Sequence, residues 1–192
     1  MFTERQVEII YAAANLIAEK GIQGLTMKNL SKKIGISEPA IYRHYENKID
    51  ILVNIIDYFT GTISEIFDIQ ISSEDHALLR IEKIFENYFL AFANLPSLIT
   101  VIFSEEIFRN EPLLTQKVKE VMTRSSQNIH AIIVAGQARQ EINPTYDADD
   151  LVILILGSIR LLVKQWQMAN YSFDMKQRGA KFFESLRKIL IS

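Results

Sequence analysis

At 192 residues, 48% of them hydrophobic and 23% charged, the chain has ample apolar material for a core, which excludes an intrinsically disordered reading. The formal net charge is −2 and is unevenly divided: residues 1–50 hold 7 Lys/Arg and 6 Asp/Glu and the remainder 14 and 17, so the N-terminal part is better balanced for meeting phosphate. With no cysteine, disulfides and thiol chemistry are excluded.

The N-terminal MFTERQ lacks the basic-then-apolar pattern of a signal peptide. The most apolar run, Leu151 to Val163, contains Arg160 and falls short of the roughly 20 residues of a membrane span. A soluble, cytoplasmic protein without a membrane partner is expected.

Thr3 and Gln6 form a capping box opening a first helix, whose apolar residues include Val7, Ile10, Ala14 and Ile17 and which ends at Gly21. Thr26 caps a second helix with Met27, Leu30 and Ile34 inward. Gly35 ends it in the left-handed conformation that glycine tolerates, and Ile36 folds back on the preceding turn. Ser37 caps a third helix with Pro39 in its first turn, where no backbone N–H is lost. Ile41 and Tyr45 then face the partner helix, leaving Tyr42, Arg43 and His44 outward. Exposed Tyr-Arg-His on a short, well-capped helix reads as the second helix of a helix-turn-helix. Fewer than about 50 residues is marginal for independent folding, so this head leans on the rest of the chain.

From Lys48 to near Gln70 a connecting helix carries Ile51, Leu52, Ile55, Ile56, Phe59 and Ile63. Residues 71–74 read as a loop, with Ser73 capping a fifth helix that carries Leu78, Ile81, Phe85, Tyr88 and Phe92. Leu95-Pro96-Ser97 interrupts it; a sixth helix carries Ile99, Ile102, Phe103 and Ile107. Glu111-Pro112 starts a long seventh helix, closed by Asn143-Pro144. Asp147, Asp149 and Asp150 suit the positive end of an eighth. The last, capped by Ser172, runs from Met175 through Leu190. No segment alternates as a strand does. The fold class predicted is all-α, about nine helices: a three-helix DNA-binding head over 1–47 and a larger helical effector-binding and dimerisation domain over 48–192, in which 48–70 is the connecting helix.

The eighth helix is apolar on more than one face, as expected of a helix buried against both its own body and a second subunit. Leu151, Leu154, Ile155, Gly157, Ser158 and Leu162, with Phe182, Phe183, Leu186 and Ile189, are candidates for that interface; the alternative is a central helix in a monomer's core. Phe59, Ile63, Phe67, Phe85, Tyr88, Phe92, Ile102, Phe103, Phe108 and Trp166 supply surface for an apolar or amphipathic effector, although core packing is the better account of any one of them taken singly. Ser125, Asn128 and His130 break the seventh helix's apolar stripe, either to orient a ligand's polar end or as a solvated face. Catalysis finds little support. Glu105 and Glu106 are adjacent and diverge by about 100° on a helix; His44, His76 and His130 lack ligand-like spacing, and the seven glycines form no phosphate loop. Neither a catalytic site, a metal nor a cofactor is expected.

Ile9-Ile10, Ala13-Ala14, Leu16-Ile17 and Gly21, then Thr26, Gly35-Ile36-Ser37, Ile41-Tyr42, His44-Tyr45 and Lys48, follow without a gap the order and spacing of the TetR family of bacterial transcriptional regulators, which the first fifty or so residues resemble. The resemblance implies a homodimer that sets two recognition helices in successive major grooves of a near-palindromic double-stranded operator, half-site centres roughly 34–36 Å apart. It also implies a four-helix bundle from the last two helices of each subunit, and a small-molecule effector in the body that shifts the heads to a spacing unfit for DNA. Carried over by position, Lys28, Glu38, Pro39, Ala40, Tyr42 and Arg43 meet base edges or adjoining backbone, Thr26, His44 and Lys48 meet phosphates, and Ser37 belongs to the same DNA-binding set. Arg43 can donate two bonds to guanine, worth about 1–3 kcal/mol of discrimination. Glu38 either accepts from cytosine N4 or stabilises its helix N-terminus, and Lys32 and Lys33 add general attraction or a solvated face. The expected function is a dimeric repressor released by its effector. A DNA-bound structural or interaction protein whose body binds another protein is the alternative. A lipid carrier with a vestigial head fits poorly with Arg43, His44 and Lys48 beside intact caps.

Overall fold

The computed structural model describes residues 2–70, 75–94, 96, 99, 101, 103 and 111–191, without the side chains of 62–70. Among these residues every regular element is a helix, and there are eight: α1 Glu4–Gly24, α2 Met27–Ile34, α3 Glu38–Tyr42, α4 Lys48–Gln70, α5 Ala77–Asn94, α6 Pro112–Ala138, α7 Ala148–Met168 and α8 Met175–Ile191. The expected loop at 71–74 with its Ser73 cap, most of the expected sixth helix, the Glu105-Glu106 pair, and the candidates Ile63, Phe67, Ile102 and Phe108 lie outside the described residues or side chains. Two compact units divide the chain, Met1–Gly61 with Leu95–Glu120, and Thr62–Asn94 with Val121–Ser192.

In the first unit, the Thr3/Gln6 capping box starts α1, and Ile9, Ile10, Ala13, Ala14, Leu16 and Ile17 form its buried face. Gly21 breaks the regular helix at φ 69°, ψ 179°, a conformation open essentially to glycine alone. Leu25, Leu30, Ile41, Tyr45, Ile51, Leu52, Ile55 and Ile56 are buried and complete this core. Burial of each such large side chain is worth about 1.5–3 kcal/mol. Phe2 and Tyr11 both pack edge-on against Tyr58, and the N-terminal part of α6 is pinned to α4 by Lys117 on Asp57, 2.6 Å apart.

The second unit is built on α5, which packs against α8 and α7. Phe85 meets Phe89, Phe182 and Phe183 at centroid distances of 5.6–6.1 Å. Gly179 of α8 makes this approach possible, because a Cβ there would lie 2.2 Å from the Phe89 ring. Glu141 joins the end of α6 to the start of α5: its Oε2 accepts from the Ala77 N–H at 2.6 Å, with Arg139 and His76 beside it. The carboxyl is held below its ordinary value chiefly by that backbone bond.

Several expectations are corrected. α6 ends at Ala138, not at Asn143-Pro144, because Gln140 turns left-handed at φ 58° and the N–H groups of Glu141 and Ile142 both turn back onto the Gly136 carbonyl. α8 is capped by Asp174 and not by Ser172: the Asp174 carboxylate accepts from the Gln177 N–H at 3.0 Å. Left-handed Asn170 and Tyr171 close α7 in a separate turn, which the Trp166 indole secures by donating to the Phe173 carbonyl at 2.8 Å. α7 is 21 residues of mean hydropathy 1.4 at its most apolar, so it does not fall short of a membrane span in length. Its Leu151, Val152, Ile155, Ile159, Leu162, Val163 and Trp166 are buried within the unit and form its core-facing side.

Candidate nucleic-acid interface

Each local feature of residues 26–48 rests on a hydrogen bond that the sequence makes available. The Thr26 hydroxyl accepts from the Asn29 N–H at 3.1 Å and caps α2, while the Asn29 amide donates to the Gly24 carbonyl, tying α2 to the end of α1. Gly35 stands at φ 81°, and the N–H groups of Gly35 and Ile36 both return to the Ser31 carbonyl. Such a close stop leaves only Ile36 and Ser37 between the left-handed glycine and α3.

α3 is five residues long, with Pro39 in its first turn. Ser37 is its N-cap by backbone geometry but makes no side-chain cap bond, contrary to expectation. Ile41 and Tyr45 are 0% and 2% exposed, and the Tyr45 hydroxyl donates to the Gln6 carbonyl at 3.1 Å. Burial first, and then the Asp50 carboxylate, hold that phenol well above its ordinary pKa. With Ile41 and Tyr45 anchored inward, Tyr42 is 51% exposed, Arg43 is exposed and His44 half-buried.

Arg43 makes no ion pair or hydrogen bond through its side chain among the described residues, and neither does Lys28 or Glu38. Lys33 instead binds Glu19 at 2.7 Å. Lys48 Nζ donates to the Ile22 carbonyl at 3.2 Å, so this lysine ties α4 to the end of α1 while keeping two further protons. Between Thr26 and Lys48 there are five Lys/Arg against two Asp/Glu, a local excess that the whole-chain charge conceals. All ten sequence-predicted residues of this set therefore fall on one short structural block; seven of them, Thr26, Lys28, Ser37, Pro39, Tyr42, Arg43 and Glu38 at its edge, lie on or beside the two short helices with their polar groups or ring unburied.

Two features were not foreseen from the sequence. Asn47 caps α4, its Oδ1 accepting from the N–H groups of Ile49 and Asp50, while Asp50 reaches back to the Glu46 N–H. Leu113, from the first turn of α6, joins Tyr42–Asn47, Ile49, Asp50 and Val53 in lining an open groove of about 660 Å³. An Asn three residues before an Asp was a readable cap; Leu113, more than sixty residues away, was not.

The described effector candidates are divided between the two units. Phe59 is buried and Phe103 half-buried in the first unit, where they serve its core. In the second, Phe85 and Phe92 are buried, the Tyr88 and Ser125 hydroxyls lie 3.3 Å apart, and Tyr88 stacks on Phe92. Trp166 clamps the α7 turn, Asn128 is exposed, and His130 lies 3.6 Å from Asp149. Of the dimer candidates, Leu151, Ile155, Leu162, Phe183 and Leu186 are buried in the chain's own core and offer no free surface. Leu154 and Ile189 are exposed, at 37% and 47%, as are Ile153, Leu161 and Met168, which were not among the candidates. A Cβ on Gly157 would meet nothing, so it stands open on the same helix, with Ser158 half-buried beside it and Phe182 half-buried on α8.

Comparison with known proteins agrees with this geometry over nearly the whole chain. Residues 9–55 match the model for bacterial regulatory proteins of the tetR family, and residues 57–189 match that for the C-terminal region of YsiA-like protein. The fatty acid metabolism regulator protein of Bacillus subtilis (strain 168) is 24% identical over 171 residues, covering 89% of this chain and 88% of that one. The nucleoid occlusion factor SlmA of Vibrio cholerae is 23% identical over 175 residues, covering 88% and 87%. Among solved structures, FadR of Bacillus subtilis in complex with stearoyl-CoA superposes with a TM-score of 0.80 at 23% identity, covering 97% of each chain, and FadR of Bacillus halodurans with 0.83 at 18%, covering 100% and 97%. The chain belongs to the TetR family of bacterial regulatory proteins and is a helix-turn-helix, DNA-binding transcriptional regulator.

Proposed function

We propose that the chain is a homodimeric repressor that reads a near-palindromic operator with residues 26–48 and is released when a long-chain acyl-CoA, or an amphipathic molecule like it, occupies the body over 48–192. The observation that carries the DNA role is the pairing of buried Ile41 and Tyr45 with exposed, unengaged Arg43, two residues from each. The anchored backbone fixes where this arginine projects, and its planar guanidinium presents a fork for guanine. Tyr42, Glu38, Pro39, Ala40 and Lys28 flank it; Thr26, Ser37, His44 and Lys48 supply donors for phosphate. The Thr26 hydroxyl uses an acceptor lone pair in capping and keeps its proton for that purpose.

For the effector, the support is the FadR likeness, because that protein's structure holds stearoyl-CoA. For the dimer, it is the exposed apolar stripe of α7. A protein acting on operator DNA works beside the chromosome, in the cytoplasm. The likeness to nucleoid occlusion factors favours a second reading, in which the body receives a protein instead of a metabolite. Operator selection from a random duplex library, then titration of stearoyl-CoA against the selected complex, separates them: release at micromolar ligand supports the repressor, while DNA binding indifferent to acyl-CoA supports the second reading. No enriched sequence at all would sink both.

A further inference from the structure

α5 carries two polar groups that its packing leaves unanswered. Asn87 is 4% exposed, and its Nδ2 has no hydrogen-bond partner among the described residues; the buried Nε of Arg80 has none either. Seven residues separate them, so on a regular helix they share a face to within about 20° and lie about 10.5 Å apart along the axis. Asn87 is rotated by about 200° from Phe85, which puts it on the side of α5 away from the Phe182 and Phe183 packing.

A buried N–H without an acceptor destabilises a fold relative to an apolar group of the same shape; in half-buried Arg80 this applies to the Nε of a guanidinium that cannot shed its proton. Ile84 and Ala91, on the same side of α5, offer only apolar surface and are themselves buried. Both orphan atoms are donors. They ask for one elongated molecule with an oxygen acceptor opposite each: a neutral carbonyl suits the amide, and an anionic oxygen suits the guanidinium.

We propose that the Arg80–Asn87 face of α5 is the polar half of the ligand site, Asn87 donating to the acyl carbonyl of an amphipathic ligand and Arg80 to an anionic group further along it. This rests on the reading of the body as a ligand-binding domain, and on nothing about DNA. It distinguishes an acyl thioester of a phosphorylated carrier, which has both acceptors, from a free fatty acid, which has one head.

The test is titration calorimetry on the full-length protein without DNA, with stearoyl-CoA, stearate and coenzyme A as probes. Asn87→Leu should weaken stearoyl-CoA binding about tenfold, the loss of one buried hydrogen bond, while the unliganded melting temperature stays level or rises. Asn87→Ala, which brings no added bulk, should show the same loss of affinity. Arg80→Gln should weaken stearoyl-CoA and coenzyme A but leave stearate untouched. Unchanged stearoyl-CoA affinity in both Asn87 variants overturns the assignment, as does stearate binding the wild type as tightly as stearoyl-CoA. If the wild type binds none of the probes, the ligand-binding reading of the body fails and this site falls with it. A ligand that binds normally but leaves DNA bound sinks the release mechanism alone and leaves the site standing.

Discussion

The Tyr45 hydroxyl reaches across 39 residues to the Gln6 carbonyl, 3.1 Å away, and so fastens the end of the DNA-reading segment to the start of the first helix. Tyr45→Phe keeps the ring in its buried seat and removes only that bond. A loss of about 1 kcal/mol is expected, or roughly 2–4 °C in melting temperature for a chain of this size. The same phenol also sets an alkaline limit. Burial and Asp50 raise its pKa, and Tyr11 is raised to about 12 by burial and the neighbouring Tyr58 hydroxyl. The folded state thus holds these protons more tightly than the unfolded chain, whose tyrosines titrate near 10. The contribution of these phenols is complete below about pH 10 and is lost as pH rises above it. Urea midpoints at about pH 8, 10 and 11 should fall more steeply in the wild type than in Tyr45→Phe; parallel lines would show that the phenol is not held neutral by the fold.

Two glycines differ in what they will accept. A Cβ at either Gly21 or Gly35 meets no neighbour within 4 Å, so only backbone conformation is at stake. Gly35 lies in the left-handed helical region, where alanine costs about 1–2 kcal/mol and asparagine less. At Gly21, with ψ 179°, no other residue is at ease, and alanine should cost about 1–3 kcal/mol. Gly35→Asn should therefore keep near-normal stability where Gly21→Asn does not, by thermal melts run side by side. Equal tolerance at both positions would count against the α1 break.

Arg43 and Lys48 should fail differently. Arg43→Ala removes a side chain engaged with nothing among the described residues, so stability should hold while affinity for a selected operator drops about tenfold or more and affinity for random duplex barely changes. Lys48→Ala should weaken both duplexes alike and flatten the slope of log K against log salt by about 0.9. It should also lower the melting temperature slightly, since the bond to the Ile22 carbonyl is lost. Identical specific and nonspecific losses for Arg43→Ala would remove it from base reading.

What could be read in advance was whatever depends on neighbours within one helical turn. Thr26, Gly35 and Asp147 each bond backbone groups two to four residues away, Pro39 sits in a first turn where its missing N–H costs nothing, and the structure places all four as their chemistry predicts. Asp174 displaced Ser172 as the cap of α8 because Trp166 and Tyr171, packed at 4.9 Å, impose a turn that no local propensity announces. The apolar run of α7 announced burial on more than one side without saying which. Ile155 and Leu162 proved to serve the core, while Ile153 and Leu161, equally apolar in the sequence, are left outside. Asn87 and Arg80 were silent for the same reason: a polar residue on an amphipathic helix looks solvated until its surroundings are known.

Glu141 caps α5 from 64 residues away, and its value depends on ionisation. The bond from the Ala77 N–H lowers its pKa below the ordinary 4.5, so the contribution is present above that pH and lost as pH falls through the depressed folded-state value. Glu141→Gln keeps an acceptor without the charge. The variant should melt below the wild type near neutral pH, and the gap should close as the pH falls below the ordinary carboxylate value of 4.5 and through the depressed one. A gap of constant size across this range would assign the loss to geometry and not to charge.

The α7 stripe supplies the sharpest test of the dimer. Leu161 is 59% exposed and Ile153 69%, so in an isolated chain a glutamate at either site meets water and should change stability by no more than about 0.5 kcal/mol. In a dimer built on this face the same carboxylate is buried against its symmetry mate, two like charges in an apolar seam. Leu161→Glu should therefore sediment as a folded monomer at micromolar concentration and lose most of its operator affinity, because one short reader alone makes few contacts. Ile155→Glu, at a fully buried position on the other side of α7, should instead unfold the unit. A Leu161→Glu protein that remains dimeric and binds operator normally would place the subunit contact elsewhere, and with it the element that sets the spacing of the two readers.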